Sequence, residues 1–229
     1  MLKNDDIIAY NKNLKTEKKY RRDYQILQKE RVFSTFNTLL RFTNNAPLVK
    51  GKKLLDLGSA DNAFINVCKS KKINAKGLDI TDGINFEKDN FPFKNNSFDL
   101  VTAISVIEHI YSPSKFILEI KRVLKPRCPV IMVLPNWRYS TKSFYNNPTH
   151  VHPYTEQSIF SLLSSFNFDE ILVVPWLVNK SKFWWNIPYS FFVAKWLIPF
   201  KGSAPKWVPS FLKGSSSSIL VLGLNSHEK

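Results

Sequence analysis

Only four histidines occur in the 229 residues, and three of them fall in two short stretches. His109 lies in Ser105-Val106-Ile107-Glu108-His109-Ile110; His150 and His152 lie in NNPTHVHPYT, residues 146–155. Imidazole is the usual side chain for taking a proton from an alcohol near neutrality. Each ring would serve equally well as a hydrogen-bonded loop anchor. The His150-x-His152 pair also has the residue types of a metal site, but no third ligand is evident from the sequence, and no metal is expected. A second constellation is Asp56-Leu57-Gly58-Ser59-Ala60-Asp61-Asn62, which follows a short apolar run. Glycine lets a backbone approach a ligand closely, and the helix start that follows offers free N–H groups. Further on, Asp79 has the type and spacing of an acid that accepts both hydroxyls of a ribose. Together these residues predict a site for a nucleoside-type cofactor.

The elements that must position these residues alternate. LLDLG, FDLVTAISV and PVIMVLP are apolar runs of the kind buried parallel strands show, and AKGLDI reads as the second strand of the series. Between them, 63–72 and 113–125 have helical spacing, the second stopping at Pro126. Residues 154–165 predict another helix, with Thr155 as its cap. FDEILVVPW and SSSILVLGLN predict the last two strands. This rhythm predicts a doubly wound, mostly parallel sheet that binds its ligand at the carboxyl ends of the strands. Only Thr81 to Asn85 separate the second strand from the expected third, too few for the usual helix, so that third strand is expected to be short or missing.

Flanking this core, residues 1–46 read as a helical extension, with Val32, Phe36 and Leu40 on an apolar stripe. They would pack on the domain edge or form a lid. Residues 47–229 form the main domain. An insertion at 177–216 is rich in Trp and Lys and free of Asp and Glu. That composition suits a lid over a cleft or contact with an anionic membrane face. The chain carries 33 Lys and Arg against 18 Asp and Glu, a net charge of +15, which suits a solvated basic surface or an anionic partner. Cys68 and Cys128 lack metal-ligand spacing, and too few cysteines are present for a disulfide scaffold. With no visible signal peptide, the expectation is a cytoplasmic protein, with a peripheral position on the inner membrane face as its sharper form.

Four blocks carry a resemblance to a known family. Asp56 and Gly58 match a D-x-G-x-G-x-G motif, with departures at Ala60 and Asn62. Phe91-Pro92-Phe93-Lys94-Asn95-Asn96-Ser97-Phe98-Asp99 resembles its "LPF…NSFD" block, Ser105 to Ile110 its "EHI" block, and Glu119 to Pro126 its "E-x-x-R-V-L-K-P" helix. Over roughly residues 50–175 and the final strand, the chain resembles class I S-adenosylmethionine-dependent methyltransferases of the "type 11" kind. The resemblance implies a Rossmann-like α/β fold, doubly wound and mostly parallel with an antiparallel last strand. It implies S-adenosylmethionine as cofactor, held by Asp56, Gly58, Ser59, Ala60, Asn62, Asp79, Ile80, Glu87 and Ser105. Asn85, Glu87 and Asp89 all remain candidates for the adenine contact. His109, His150 and His152 become candidate catalytic residues, because PTHVHPYT resembles a segment of family members that act on small molecules, sugars or lipids. The implied reaction is O-methylation of a sugar, polysaccharide or lipid-linked small molecule. The alternatives are a non-catalytic binding module and an RNA methyltransferase, nucleic acid being the weaker partner in the absence of an RNA-binding module. Ala60 is tolerable with a negative φ and costly with a positive one. Asn tolerates the left-handed region and also caps helices, which suits position 62.

Overall fold

The computed structural model describes residues 22–176 and 218–226. The insertion at 177–216 lies outside the described residues, and so do residues 1–21 of the N-terminal extension.

Six strands form one sheet: β1 (Lys53–Leu57), β2 (Asn74–Leu78), β3 (Leu100–Ile104), β4 (Pro129–Pro135), β5 (Phe168–Pro175) and β6 (Ser218–Asn225). Their order is β2-β1-β3-β4-β6-β5. The first four run parallel; β6 pairs antiparallel with β4 and with β5. The chain winds outward from β1 to β2, then returns across β1 to β3. That reversal opens a crevice at the carboxyl end of β1, where ligands of such sheets bind.

The helices are α1 (Arg22–Phe42), α2 (Ala63–Ser70), α3 (Ser114–Val123), a single turn α4 (Trp137–Ser140) and α5 (Glu156–Ser165). Strand residues alternate between two cores, as a period of two requires. Leu55, Leu57, Val101, Ala103, Val130 and Met132 pack with Phe116, Ile120, Ile159 and Leu163 of α3 and α5. Leu54, Leu100, Ile131, Val133 and Leu220 pack on the opposite face with α1 and α2. So α1 is a packed layer of the sheet. Its Phe36, fully buried, meets Phe64 edge-on at 5.7 Å and Trp176 at 5.9 Å. Among the described residues no helix is long and apolar enough to cross a membrane.

After β2 comes only a 3-10 turn, Ile80–Asp82, and then irregular chain up to β3; no described strand pairs with the outer edge of β2. The family-like blocks around this stretch act as staples. Arg122 donates to the carbonyls of Phe91 (2.9 Å) and Phe93 (2.7 Å) and pairs with Glu119 at 2.6 Å. Glu119 also accepts the Phe91 N–H at 2.6 Å. Asp99 accepts the Lys53 N–H at 2.8 Å and pairs with Lys125 at 2.7 Å. These bonds hold the irregular chain between β2 and β3. Further along, Thr155 caps α5 as predicted, in a reciprocal box with Ser158.

Truncating Phe36 to Ala should leave a cavity between α1, α2 and the sheet and cost ~3–5 kcal/mol in urea unfolding. A loss below ~1 kcal/mol would show that α1 is not part of the cooperative core.

Candidate functional site

The turn after β1 is set by close contacts on both sides. Gly58 has φ +70°, and a Cβ there would collide with Val106 at the end of β3. Its N–H donates to the Leu78 carbonyl at 2.8 Å, tying the turn to β2. Ala60 has φ +48°, the costly case for a residue with a Cβ. The strain is offset by one bond: the Ala60 N–H donates to Asp79 Oδ2 at 3.0 Å. Asn62 takes the left-handed conformation that suits its type, φ 59°, but its side chain makes no capping bond; Asp61 instead accepts the Ala63 N–H at 3.1 Å. Ser59 is buried, and its side chain and that of Asn62 lie against β2 where Gly77 leaves room. No local pattern in the sequence marks Gly77 as part of the turn.

Asp79 is fixed from both directions. Its Oδ1 accepts the N–H and hydroxyl of Thr81 at 3.1 and 2.9 Å, and its own N–H donates to Asp82. An ionised carboxylate has about four acceptor positions; with Ala60 and Thr81 taking three, capacity remains on Oδ2 for one ligand hydroxyl. Ile80 opens the 3-10 turn beside it, half-buried. Asp56 is buried within the α1 and α2 side of the sheet. Its Oδ1 accepts the Thr102 hydroxyl at 2.7 Å. Burial raises its pKa to about 6, against the lowering pull of the Thr102 bond and of Lys29 on α1. The neighbouring Cys68 thiol is likewise pushed up by burial, to about 12, and behaves as inert packing.

At the end of β3, Ser105 is exposed with φ +56°, its N–H donating to the Val133 carbonyl at 2.7 Å. The 3-10 turn Ile107–His109 follows. Glu108 is 1% exposed, and burial raises its acid to about 8. The Ser105 hydroxyl is near enough to oppose that shift, yet neither Glu108 oxygen has a partner at hydrogen-bond geometry among the described residues. The Tyr154 hydroxyl, close enough to feel the Glu108 charge, is also buried without a hydrogen-bond partner among the described residues. His109 and His150 come together with ring centroids 4.8 Å apart. Burial, with the neighbouring His150, depresses His109 to about 4, and burial lowers His150 too, so both rings are neutral near pH 7. His152 does not join them; it stacks on the Tyr154 ring at 4.5 Å. The H-x-H pair of the sequence is therefore replaced in space by His109 and His150, with Glu108 as the third donor that sequence reading missed.

The three acidic-loop candidates are all engaged locally. Glu87 accepts the N–H groups of Tyr111 (3.0 Å) and Ser112 (3.3 Å), fixing the chain ahead of α3. Asp89 accepts the Asn85 N–H, and Asn85 accepts the Glu87 N–H.

A parallel sheet with an antiparallel end pair, and a turn of this kind at its switch point, defines the class I S-adenosylmethionine-dependent methyltransferase domain. A family model described as a methyltransferase domain matches residues 24–173, and the chain belongs to that family. Norajmaline N-methyltransferase of Rauvolfia serpentina is 30% identical over 117 residues, 41% of this chain and 40% of that one. The matches cover half or less of the length of the curated relatives. Among solved structures, a SAM-dependent methyltransferase from Archaeoglobus fulgidus superposes with TM-score 0.51 at 16% identity, covering 82% of this chain and 92% of that one. Phosphoethanolamine N-methyltransferase 2 of Haemonchus contortus, solved with S-adenosyl-L-methionine, superposes with TM-score 0.57 at 16% identity, covering 99% and 61%. At that identity these likenesses show the fold.

Two outcomes follow from the turn and from Asp56. Ala60→Gly should raise stability by about 1 kcal/mol, because it relieves a left-handed Cβ; a destabilised variant in urea unfolding would contradict the strain. Asp56, with its pKa raised on folding, adds stability that is full below about pH 4 and lost as pH rises through about 6. Asp56→Asn should therefore gain on the parent by ~2–3 kcal/mol between pH 4 and 7 and keep that margin above. A margin independent of pH would contradict the burial of an ionisable Asp56.

Proposed function

We propose that the protein is an S-adenosylmethionine-dependent methyltransferase acting on a hydroxyl of a sugar, polysaccharide or lipid-linked small molecule. The observation that carries this reading is the convergence of three adjacent strand ends. Backbone of the β1 turn, the Asp79 carboxylate after β2 and the Ser105–His109 segment after β3 share one end of the sheet. The Gly58–Asn62 turn and Asp79 fit a nucleoside: the backbone is close, and the acid retains acceptor capacity. S-adenosylmethionine, when bound, supplies a methyl group already activated on a sulfonium. The chain's task is then alignment and exclusion of water.

Two neutral imidazoles next to a buried acid suit a hydroxyl acceptor, whose proton needs an acceptor group. His109 is too weakly basic to hold that proton alone near pH 7. Its part is to accept and orient the hydroxyl, along with His150. The +15 charge and the Trp- and Lys-rich stretch at 177–216 support an acceptor at an anionic lipid face.

Calorimetric titration with S-adenosylmethionine should give one site per chain. Asp79→Ala should weaken it by about tenfold or more, through loss of a charged hydrogen bond to a ribose hydroxyl. No heat at millimolar ligand would sink the enzyme reading. With labelled cofactor and fractionated cell extract, label should enter glycan or lipid fractions; label confined to RNA would overturn the acceptor class.

A further inference from the structure

The buried acid and the two rings have a feature that methyl transfer to a hydroxyl does not require. Their donor atoms, one each from Glu108, His109 and His150, lie within 4.8 Å of one another. Both rings are locked in one tautomer. The Thr149 hydroxyl donates to Asn147 Oδ1 at 2.7 Å and is left to accept from His109 Nδ1 at 2.9 Å; the Thr149 carbonyl accepts from the same nitrogen at 3.1 Å. His150 Nδ1 faces the Phe144 carbonyl at 2.8 Å, and a carbonyl only accepts. Each ring therefore carries its hydrogen on Nδ1 and keeps a lone pair on Nε2. Backbone-anchored Nδ1 with free Nε2 is the arrangement that outer-sphere contacts impose on metal-binding histidines. The second observation is independent: Glu108, 1% exposed, has two oxygens without a hydrogen-bond partner among the described residues. A bare pair of oxygens at that depth is costly unless something binds them.

We propose that Glu108, His109 and His150 bind one divalent transition-metal ion. Two imidazole nitrogens and one carboxylate oxygen on one side of an ion favour zinc or another late first-row dication over magnesium or calcium, which prefer all-oxygen shells. Three protein ligands leave further positions open. An acceptor hydroxyl bound in one of them would lose its proton more easily, with the ion as Lewis acid. With the ion bound, it replaces the two Nε2 lone pairs as the group that receives the hydroxyl; that role rests on the methyl transfer proposed above, whereas binding of the ion does not, and is measured without turnover.

The probe is cobalt(II) chloride added to tag-free chain, followed by visible absorption, with zinc chloride as displacing competitor. The parent should take up one cobalt per chain, with visible bands from nitrogen and oxygen ligands that zinc abolishes. Glu108→Gln and His150→Ala, each checked for folding by circular dichroism, should bind about tenfold or more weakly. His152→Ala should bind like the parent. No cobalt band in the parent would overturn the site. So would unchanged binding in both ligand variants, loss of binding in His152→Ala, or a thiolate-to-cobalt charge-transfer band placing the ion on Cys68 or Cys128. Intact methyl transfer in metal-free chain would remove the Lewis-acid role and leave the binding site standing.

Discussion

The ligand end of this sheet depends on how sharply the chain turns after β1. Gly58 must lie against Val106 on one side and bond to Leu78 on the other. That closeness forces the following residues through left-handed conformations at Ala60 and Asn62. Ala60 is held there by its bond to Asp79, so the most strained residue of the turn and the acid beside it are one unit. Gly77 completes the fit by leaving space on β2 for Ser59 and Asn62. The turn, the acid and the 3-10 segment after β3 are therefore positioned by mutual contact rather than by flexible loops.

Much of this was legible in the sequence, for identifiable reasons. The central strands β1, β3 and β4 are near-continuous apolar runs because both faces of the sheet are covered there, and Thr155 declared its helix start. The shortness of Thr81–Asn85 foretold that no strand would follow β2 on its outer edge before β3, as the described residues show. The blocks that carried the family resemblance divide by role. Asp99, Glu119, Arg122 and Lys125 are staples that secure the chain bridging β2 and β3. The Ser105–Ile110 block, by contrast, enters the site.

What stayed hidden was side-chain convergence across long separations. Glu108 sat in plain view beside His109, but nothing local shows that it is buried without partners, or that His150, some forty residues on, meets it. His152 misled because closeness in H-x-H suggests a pair, whereas the chain here is irregular: the N–H groups of Val151 and His152 both donate to the Glu108 carbonyl, and the His152 ring is drawn onto Tyr154. Ala60 was recognised as a departure, but its φ depends on the approach of Val106 and Asp79. Gly77 was invisible for the same reason: its lack of a side chain matters only to residues of another strand.

We propose that this turn and Asp79 hold the nucleoside of a methyl donor, with the Glu108, His109 and His150 cluster on the acceptor side. A crystal structure of the chain with S-adenosylhomocysteine tests it most directly. A ribose hydroxyl should lie on the Asp79 carboxylate, with the backbone of Gly58–Asn62 against the ligand and its sulfur facing the Ser105–His109 segment. A nucleoside seated elsewhere, or a ligand that leaves Asp79 untouched, would contradict the account.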